Sequence, residues 1–233
     1  MSLAALHRQV IRCRLCPRLV RWREKVAHEK VRRFADETYW GKPITGFGDP
    51  RAELLLVGLA PAAHGGNRTG RIFTGDESGR WLFRALARAG FANQPESVSR
   101  TDGLTLAGCY VTAAVRCAPP ANRPLPAEIH RCAPYLLEEL RLLRRVRVVV
   151  GLGGIGFRAA VDALRSAGRL RLRRRPTFAH GVCHRLDDLT LLGSYHPSQQ
   201  NTFTGRLTEA MFDAVFARAR REIEAGRMRA GPR

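Results

Sequence analysis

The chain has 233 residues, a mass of 26.0 kDa and a formal net charge of +20. This length fits a single domain over 1–233, with a helical N-terminal segment at 1–33 and a basic tail at about 227–233. A composition of 45% hydrophobic and 26% charged residues is typical of a globular protein and excludes a disordered or collagen-like one. No apolar run reaches the about 18 residues of a membrane span, and no secretory signal is evident. We therefore expect a cytoplasmic protein with no membrane partner.

The positive charge favours a polyanionic partner. It comes from 40 Lys and Arg residues against 20 Asp and Glu, and only Lys25, Lys30 and Lys42 are lysines. Basic side chains that contact phosphates release counterions, which makes binding favourable and dependent on salt. DNA, RNA and an anionic membrane surface all fit this charge, and of these we favour a nucleic acid.

Apolar runs and amphipathic stretches alternate along the chain. The continuous apolar run at 53–60 is typical of a buried parallel strand. The stretch at 78–90 has the spacing of an amphipathic helix, with Ser78 as its predicted cap. Further strands are predicted at 108–115, 146–150 and 188–194, weak strand potential at 170–186, and further helices at 127–143, 157–168 and 205–226. The alternation predicts an α/β fold with a largely parallel sheet and helices on both faces.

Three unusual loops follow the predicted strands. They are the glycine-rich loop at 61–77, the proline-rich loop at 116–126 and the short Tyr-His-Pro-Ser segment at 195–198. Ligands of such sheets bind outside the carboxyl ends of the strands. We therefore expect the three loops to meet at one edge of the sheet and to form a site there.

Four of the six cysteines form a pattern that suits a metal. Cys13 and Cys16 form a C-x-x-C pair, and Cys117 and Cys132 form a wider second pair. Four thiolates suit a tetrahedral zinc ion or an iron–sulfur cluster, and the spacing does not choose between them. The alternative is a set of unconnected buried thiols. The remaining Cys109 and Cys183 have apolar neighbours and are predicted to be small core residues.

A glycine motif at 151–156, GLGGIG, competes with the three loops as a functional site. It follows a predicted strand and opens a helix, which is the context of a dinucleotide-binding turn. No acidic residue follows about 20 positions later to bind a ribose, but the Arg-rich run near 169–175 is compatible with NADP. We prefer the interpretation that these glycines allow close packing of helix and sheet.

Four side chains in the loops have the chemistry of a catalytic site. Asp76 can polarise a water molecule, and the Asn122 amide offers both a donor and an acceptor to a base edge. His196 can donate a hydrogen bond to a developing anion, and Phe73 offers a ring on which a base can stack. Each also has an ordinary structural interpretation, as a helix cap for Asp76 and as turn residues for Asn122 and His196.

At these residues the chain resembles the uracil-DNA glycosylase superfamily, and in particular its iron–sulfur, type B branch, family five. The resemblance rests on the segment from Gly58 to Asp76, the CAPPANRP segment around Asn122, the segment Ser194 to Ser198 and the four paired cysteines. It implies a three-layer α/β/α sandwich with a central, four-stranded, mainly parallel sheet. It also implies a structural 4Fe-4S cluster held by Cys13, Cys16, Cys117 and Cys132.

The implied activity is removal of a deaminated base that has been flipped out of DNA, leaving an abasic site. The implied catalytic residues are Asp76, His196 and Asn122, and the implied substrate-binding residues are Phe73, Gly58, Ala60, His64 and Asn122. The DNA-binding candidates are Arg68, Arg71, Ser198, Gln199, Asn201 and Arg206, with Arg116 and Arg123 as further phosphate contacts. The loop at 199–203 would wedge into the base stack, whereas the run Arg171 to Arg175 would add only long-range attraction.

One departure from related branches bears on specificity. Where other branches carry an acidic or amide residue just after the first strand, residues 58–63 read Gly-Leu-Ala-Pro-Ala-Ala. Water activation is then left to Asp76, His196 or main-chain groups. The less polar pocket predicts activity on uracil and weaker activity on hypoxanthine and other damaged bases. No lysine lies near the motifs, which argues against Schiff-base chemistry. We expect a monomer acting on double-stranded DNA and also on single strands.

Overall fold

The computed structural model describes residues 1–170, 175–186 and 189–230. Eight α-helices and six strands alternate in this part of the chain. The strands are β1 (Phe47–Gly48), β2 (Leu54–Gly58), β3 (Cys109–Ala113), β4 (Val148–Leu152), β5 (Cys183–Arg185) and β6 (Thr190–Ser194). The helices are α1 (Leu3–Ile11), α2 (Pro17–Glu29), α3 (Gly66–Thr69), α4 (Glu77–Arg88), α5 (Pro126–Leu142), α6 (Gly153–Ser166), α7 (Gln199–Phe203) and α8 (Glu209–Ala230), with short 3-10 turns at Arg32–Phe34 and Pro120–Asn122.

The strands form one mixed sheet in the order β1-β3-β2-β4-β6-β5. The central four, β3, β2, β4 and β6, run parallel, and β1 and β5 add short antiparallel edges. The parallel core confirms the α/β prediction, and the full sheet has six strands rather than four. Strand β5 lies within the stretch 170–186, for which weak strand potential was predicted, whereas β1, with two residues, is too short for an alternating pattern to be visible in the sequence.

Both faces of the central sheet are covered, which explains the continuous apolar runs. On one face Leu54 and Leu56 pack with residues of α4 and α8. On the other face Leu55 and Val57 pack with residues of α5 and α6. The side chains of one strand alternate between two separate cores, so every position must be apolar. The resulting layers place the carboxyl ends of β2, β3, β4 and β6 along one edge.

Four local predictions need correction. Helix α4 is capped by Asp76, which accepts from the Gly79 N–H at 2.8 Å, and not by Ser78. The predicted wedge loop at 199–203 is the short helix α7. Helix α8 begins at Glu209 rather than at 205, and it continues through 227–230, beyond its predicted end at 226. The run 171–174, position 188 and the last residues 231–233 lie outside the described residues.

The glycine motif at 151–156 serves packing. A Cβ on Gly156 would collide with the carbonyl oxygen of Val57, and one on Gly151 would collide with Phe157 at the start of α6. The glycines therefore let α6 lie directly on the sheet, as the packing interpretation predicts. Among the helices that the structure describes, none combines the length and apolar character needed to cross a membrane.

Candidate active site and cysteine cluster

A cleft lies where the loops after β2 and β6 meet at the carboxyl edge of the sheet. We call residues 59–76 the β2 loop and residues 195–198 the β6 loop. The rings of Phe73 from the β2 loop and His196 from the β6 loop are nearly parallel, with centroids 5.8 Å apart. The prediction that residues of these two loops lie together is therefore confirmed for this pair.

Asp76 is the last residue of the β2 loop. Its Oδ1 accepts from the Gly79 N–H, so the side chain caps α4. Its Oδ2 lies against Gly65, where a Cβ would clash with it. The residue keeps some solvent-accessible surface, yet burial raises the pKa of its carboxyl group against the opposing effect of hydrogen bonds and of Arg68. Asp76 is thus a cap and, in addition, a carboxylate held in a water-poor place.

His196 opens into a cavity of about 280 Å³ beside the cleft. Burial lowers the pKa of the imidazole to about 4, so the ring is neutral at physiological pH. A neutral imidazole has one N–H donor and one acceptor nitrogen. The cavity is also lined by Leu59, Leu152, Gly153, Gly154, Ile155, Phe178, Tyr195, Asn201 and Arg206.

Phe73 has a strained backbone. Its φ is +51°, a value that bulky residues rarely adopt and that costs about 1–3 kcal/mol. The ring lies over Gly58, where a Cβ would come within 2.8 Å of it. The absence of a side chain at Gly58 is therefore what leaves room for the Phe73 ring beside His196.

The other predicted substrate-binding residues differ in position. His64 lies in the β2 loop with its Nδ1 at 3.0 Å from the Tyr39 hydroxyl, and burial lowers its pKa. Ala60 packs against the cluster of buried residues around the cysteines, while its neighbour Leu59 lines the cavity beside His196. The structure therefore places Leu59, rather than Ala60, at the cavity.

Asn122 is exposed at the end of the 3-10 turn that follows β3. Its φ is +54° and that of Ala121 is +50°, so the turn is strained at two consecutive residues. The Asn122 side chain makes no hydrogen bond with the residues that the structure describes, and neither Asp76 nor His196 contacts it. Its amide is therefore open to a ligand.

Three of the arginines predicted to face DNA are instead buried in the protein. Arg71 binds Asp102 through two hydrogen bonds of 2.9 and 2.6 Å. Arg116 binds Glu139 at 3.0 and 2.6 Å, and Arg68 is paired with Glu37. Burial of an arginine is tolerated when a carboxylate and further hydrogen bonds neutralise it. In this conformation these three guanidinium groups are not available to phosphates.

The candidates that follow His196 are at the surface. Gln199 and Arg206 are exposed, and Ser198 and Asn201 are partly exposed. Asn201 donates to the His196 carbonyl at 2.9 Å, and the Arg206 guanidinium stacks over the Tyr195 ring at 4.6 Å. Helix α7 is therefore tied directly to the catalytic candidate His196. Arg123 is also exposed.

Phe203 ends helix α7 and is 75% exposed. It lies on the segment that was predicted to wedge into the base stack.

The four paired cysteines converge at the opposite side of the β2 loop. Cys13, Cys16, Cys117 and Cys132 belong to one group of packed apolar residues that also contains Leu6, Val10, Leu19, Val115 and Tyr135. No described group of His, Cys, Asp and Glu side chains has the arrangement of a single-metal-ion site. Burial raises the pKa of Cys117 to about 12 and that of Cys132 to about 11. Cys109 is fully buried in the core, as predicted, and Cys183 is partly buried.

Arg23 is the cation beside this group. It is 2% exposed, and its Nη1 donates to Cys117 Sγ at 3.1 Å and to the Cys13 carbonyl at 3.3 Å. Its Nε has no hydrogen-bond partner among the described residues, and its ion pair with the exposed Glu24 is 3.7 Å long. A buried cation with so little compensation fits an anionic thiolate-ligated cluster at these cysteines.

Sequence reasoning missed several of these residues. Arg23 and Tyr39 carry no motif of their own, because their partners lie far away in the sequence. Leu59 could have been recognised from strand alternation, since it points away from its neighbour Ala60.

Phe73 and His196 face each other at the carboxyl edge of a parallel sheet, where ligands of α/β proteins bind. Comparison with known proteins defines the family. The model of the uracil DNA glycosylase superfamily matches residues 45–220, so the chain belongs to the uracil-DNA glycosylase superfamily.

Its relatives match over nearly the whole chain. The Type-5 uracil-DNA glycosylase of Thermus thermophilus is 53% identical over 210 residues, which cover 90% of this chain and 93% of the relative. The Type-5 uracil-DNA glycosylase of Mycobacterium leprae is 52% identical over 222 residues, covering 94% and 95%. That of Mycobacterium tuberculosis is 50% identical over 222 residues, covering 94% and 81%.

Proposed function

We propose that this protein is a DNA repair enzyme that excises uracil from DNA by hydrolysing the N-glycosidic bond. The family and the names of relatives about half identical to the chain support this activity. The single observation that carries the proposal is the facing pair of Phe73 and the neutral His196 at the carboxyl edge of the sheet, with Asp76 at the end of the same β2 loop. The glycines of the motif at 151–156 allow α6 to pack directly on the sheet. Nothing in the described structure favours the NADP alternative.

The target base must leave the duplex before it can reach the cleft. Flipping costs a few kcal/mol and is cheapest at a mismatch. Helix α7 lies beside His196, and its exposed Phe203 is positioned to fill the gap left in the stack. The exposed Arg206 and Arg123 would neutralise flanking phosphates, while Ser198, Gln199 and Asn201 would add polar contacts.

Recognition of the base would combine stacking with edge contacts. Phe73 provides the ring, and its strained backbone fixes the ring's position relative to His196. The unpaired amide of Asn122 offers one donor and one acceptor, which matches the edge of uracil. Gly58 and His64 complete the walls, and the absence of a polar side chain at 59–63 predicts weaker removal of hypoxanthine as well.

In the reaction the bond between the sugar C1′ and uracil N1 breaks, and its electron pair stays with the base. Positive charge develops on the sugar, and negative charge spreads to the base oxygens. The ionised Asp76 would stabilise the cation and orient a water whose oxygen bonds to C1′. The water gives up one proton to solvent, and the uracil anion takes up one proton from solvent as it leaves. The neutral His196 would donate a hydrogen bond to the base oxygen, in the manner of an oxyanion hole. The products are free uracil and an abasic site.

We also propose that Cys13, Cys16, Cys117 and Cys132 hold a 4Fe-4S cluster with a structural role. The donor set supports this, because the four cysteines pack in one group in which Cys13 is partly exposed and the other three are buried, and Arg23 lies against Cys117. The hydrogen bond from Arg23 to Cys117 Sγ would stabilise negative charge on one thiolate. The backbone N–H of Arg116 donates to Cys132 Sγ at 3.4 Å and would do the same for a second. The cluster would tie α1, α2, the loop after β3 and α5 together.

The deciding assay incubates the purified protein with a duplex that contains one uracil and then with alkali. Cleavage at the uracil position, with none in a duplex carrying thymine at that position, is the expected result. An uncleaved uracil strand from folded protein that binds the duplex would overturn the proposed activity. Single-stranded uracil DNA and a hypoxanthine duplex, assayed in parallel, test the wider substrate range. Sedimentation of the protein with and without DNA tests the proposed monomer.

A further inference from the structure

The buried Arg68 connects two segments of the β2 loop, one at His64 and one at Gly75. It is 8% exposed. Its Nε donates to the His64 carbonyl at 2.7 Å, and its Nη2 donates to the Gly75 carbonyl at 3.1 Å. Gly75 immediately precedes Asp76, so Arg68 holds the peptide that carries the carboxylate.

The charge of Arg68 is only partly neutralised. Its carboxylate partner Glu37 is 48% exposed at the side chain, so water screens that pair on one side. The opposite face of the guanidinium stacks on Phe34, with Cζ 3.9 Å from the ring centroid. Among the main effects on the Asp76 carboxyl group, the charge of Arg68 favours the ionised form and that of Glu77 opposes it.

We propose that Arg68 is a positioning residue for Asp76, which fixes the peptide before it and supplies a positive charge that favours the ionised form of its carboxylate. This inference rests on the proposed function, in which the ionised Asp76 stabilises the sugar cation and orients water. It replaces the expectation that Arg68 binds DNA phosphates with a role inside the enzyme.

Arg71 provides a matched control in the same loop. It is 6% exposed, and it is neutralised by the buried Asp102 and by hydrogen bonds to Thr74 and Ser97. Arg68, and not Arg71, is among the main effects on the Asp76 carboxyl group. Losing Arg71 therefore disturbs the loop without removing the charge that Asp76 experiences.

The experiment measures single-turnover uracil release across pH for the wild type, Arg68→Gln, Arg68→Lys, Arg71→Gln and Glu37→Gln. In parallel, NMR of ¹³C-labelled aspartate follows the titration of Asp76, with its signal assigned by Asp76→Asn. The rate of uracil release is expected to fall at low pH as Asp76 becomes protonated, and we call this fall the acid limb of the pH profile. Arg68→Gln is expected to move this acid limb, and the NMR titration, to higher pH by about 1 unit.

The other variants separate charge from geometry. Arg68→Lys keeps the charge and is expected to leave the acid limb in place while lowering the plateau rate. Glu37→Gln removes the anion that screens Arg68 and should move the limb to lower pH by a smaller amount. Arg71→Gln is expected to lower the rate without moving the limb.

Several outcomes would overturn the inference. If Arg68→Gln and Arg71→Gln both leave the Asp76 titration unchanged, Arg68 only supports the loop. If Arg68→Gln does not fold, the partly exposed Glu37→Gln carries the test, and an unchanged Asp76 titration there refutes it. If the titration moves but uracil release does not follow it, the inference about Arg68 stands and the catalytic role proposed for Asp76 fails.

Discussion

The cleft and the cysteine cluster are electrostatic opposites. At the candidate active site, the Asp76 carboxylate forms no ion pair with any described residue, although the charge of Arg68 acts on it, and burial raises its pKa. Beside the cysteines, the buried Arg23 has only a distant contact to the exposed Glu24. By contrast, Arg71 and Arg116 are matched by the buried carboxylates Asp102 and Glu139. Matched buried charges build the fold, whereas an unmatched one marks a place where a ligand or a transition state supplies the missing charge.

The largest effect is expected from Asp76→Asn. The amide can still cap α4, because its oxygen accepts the Gly79 N–H, but it lacks the negative charge that the sugar cation requires. Single-turnover uracil release should fall roughly 100- to 10,000-fold, while affinity for the duplex is retained.

The variant Asp76→Asn also tests whether the buried carboxylate, when ionised, lowers the stability of the folded protein. Because folding raises the pKa of Asp76, its contribution to stability is greatest at low pH and is lost as the pH rises through that pKa. Asp76→Asn is therefore expected to unfold at a higher temperature than the wild type at neutral pH, with the gap closing in acid. A variant that loses activity and stability together would mean that Asp76 is chiefly a helix cap.

The second effect is expected from His196→Ala. A lost hydrogen bond to the developing base anion should lower uracil release about 100- to 1,000-fold. Since the pKa of His196 is about 4, the imidazole does not change charge near pH 6.5, and the wild-type rate should show no step there. A rate that falls as an imidazole with an ordinary pKa is protonated would contradict a neutral His196.

The comparison also shows what sequence can and cannot predict. The central strands were predictable because burial on both faces demands an apolar residue at every position, as at Leu54 to Val57. The cleft residues Phe73, Asp76 and His196 were predictable because they follow strand ends within recognisable motifs. Strand β1 is too short to show an alternating pattern in the sequence, and the stretch that contains β5 shows only weak strand potential.

The prediction that Arg68, Arg71 and Arg116 face DNA was wrong for a different reason. An arginine in a glycine-rich loop looks exposed until its carboxylate is found, and the partners of Arg68, Arg71 and Arg116 lie 31, 31 and 23 residues away in the sequence. Net charge of +20 likewise says nothing about which arginines are free. Only the three-dimensional structure shows that Arg206 and Arg123 are exposed, whereas Arg68 is buried and paired with Glu37.

The smallest of the three effects is expected at Arg23, on the cysteine side of the comparison. Arg23→Met keeps most of the buried volume but removes the cation and its hydrogen bond to Cys117 Sγ. Loss of such an outer contact typically weakens metal binding about 10- to 100-fold. We expect protein purified without oxygen to contain less iron and sulfide per chain, and to lose its cluster absorbance faster when a chelator is added.

Arg14→Met is the matched control for this change. Arg14 pairs with the same Glu24 at 2.6 Å, but its side chain is 64% exposed, so its removal should leave iron content unchanged. Circular dichroism of both variants separates loss of the cluster from loss of the fold. If folded Arg23→Met keeps a full complement of iron that resists the chelator as well as the wild type does, Arg23 does not compensate a cluster charge. The contrast between an unmatched anion in the cleft and an unmatched cation at the cysteines would then hold only for the cleft.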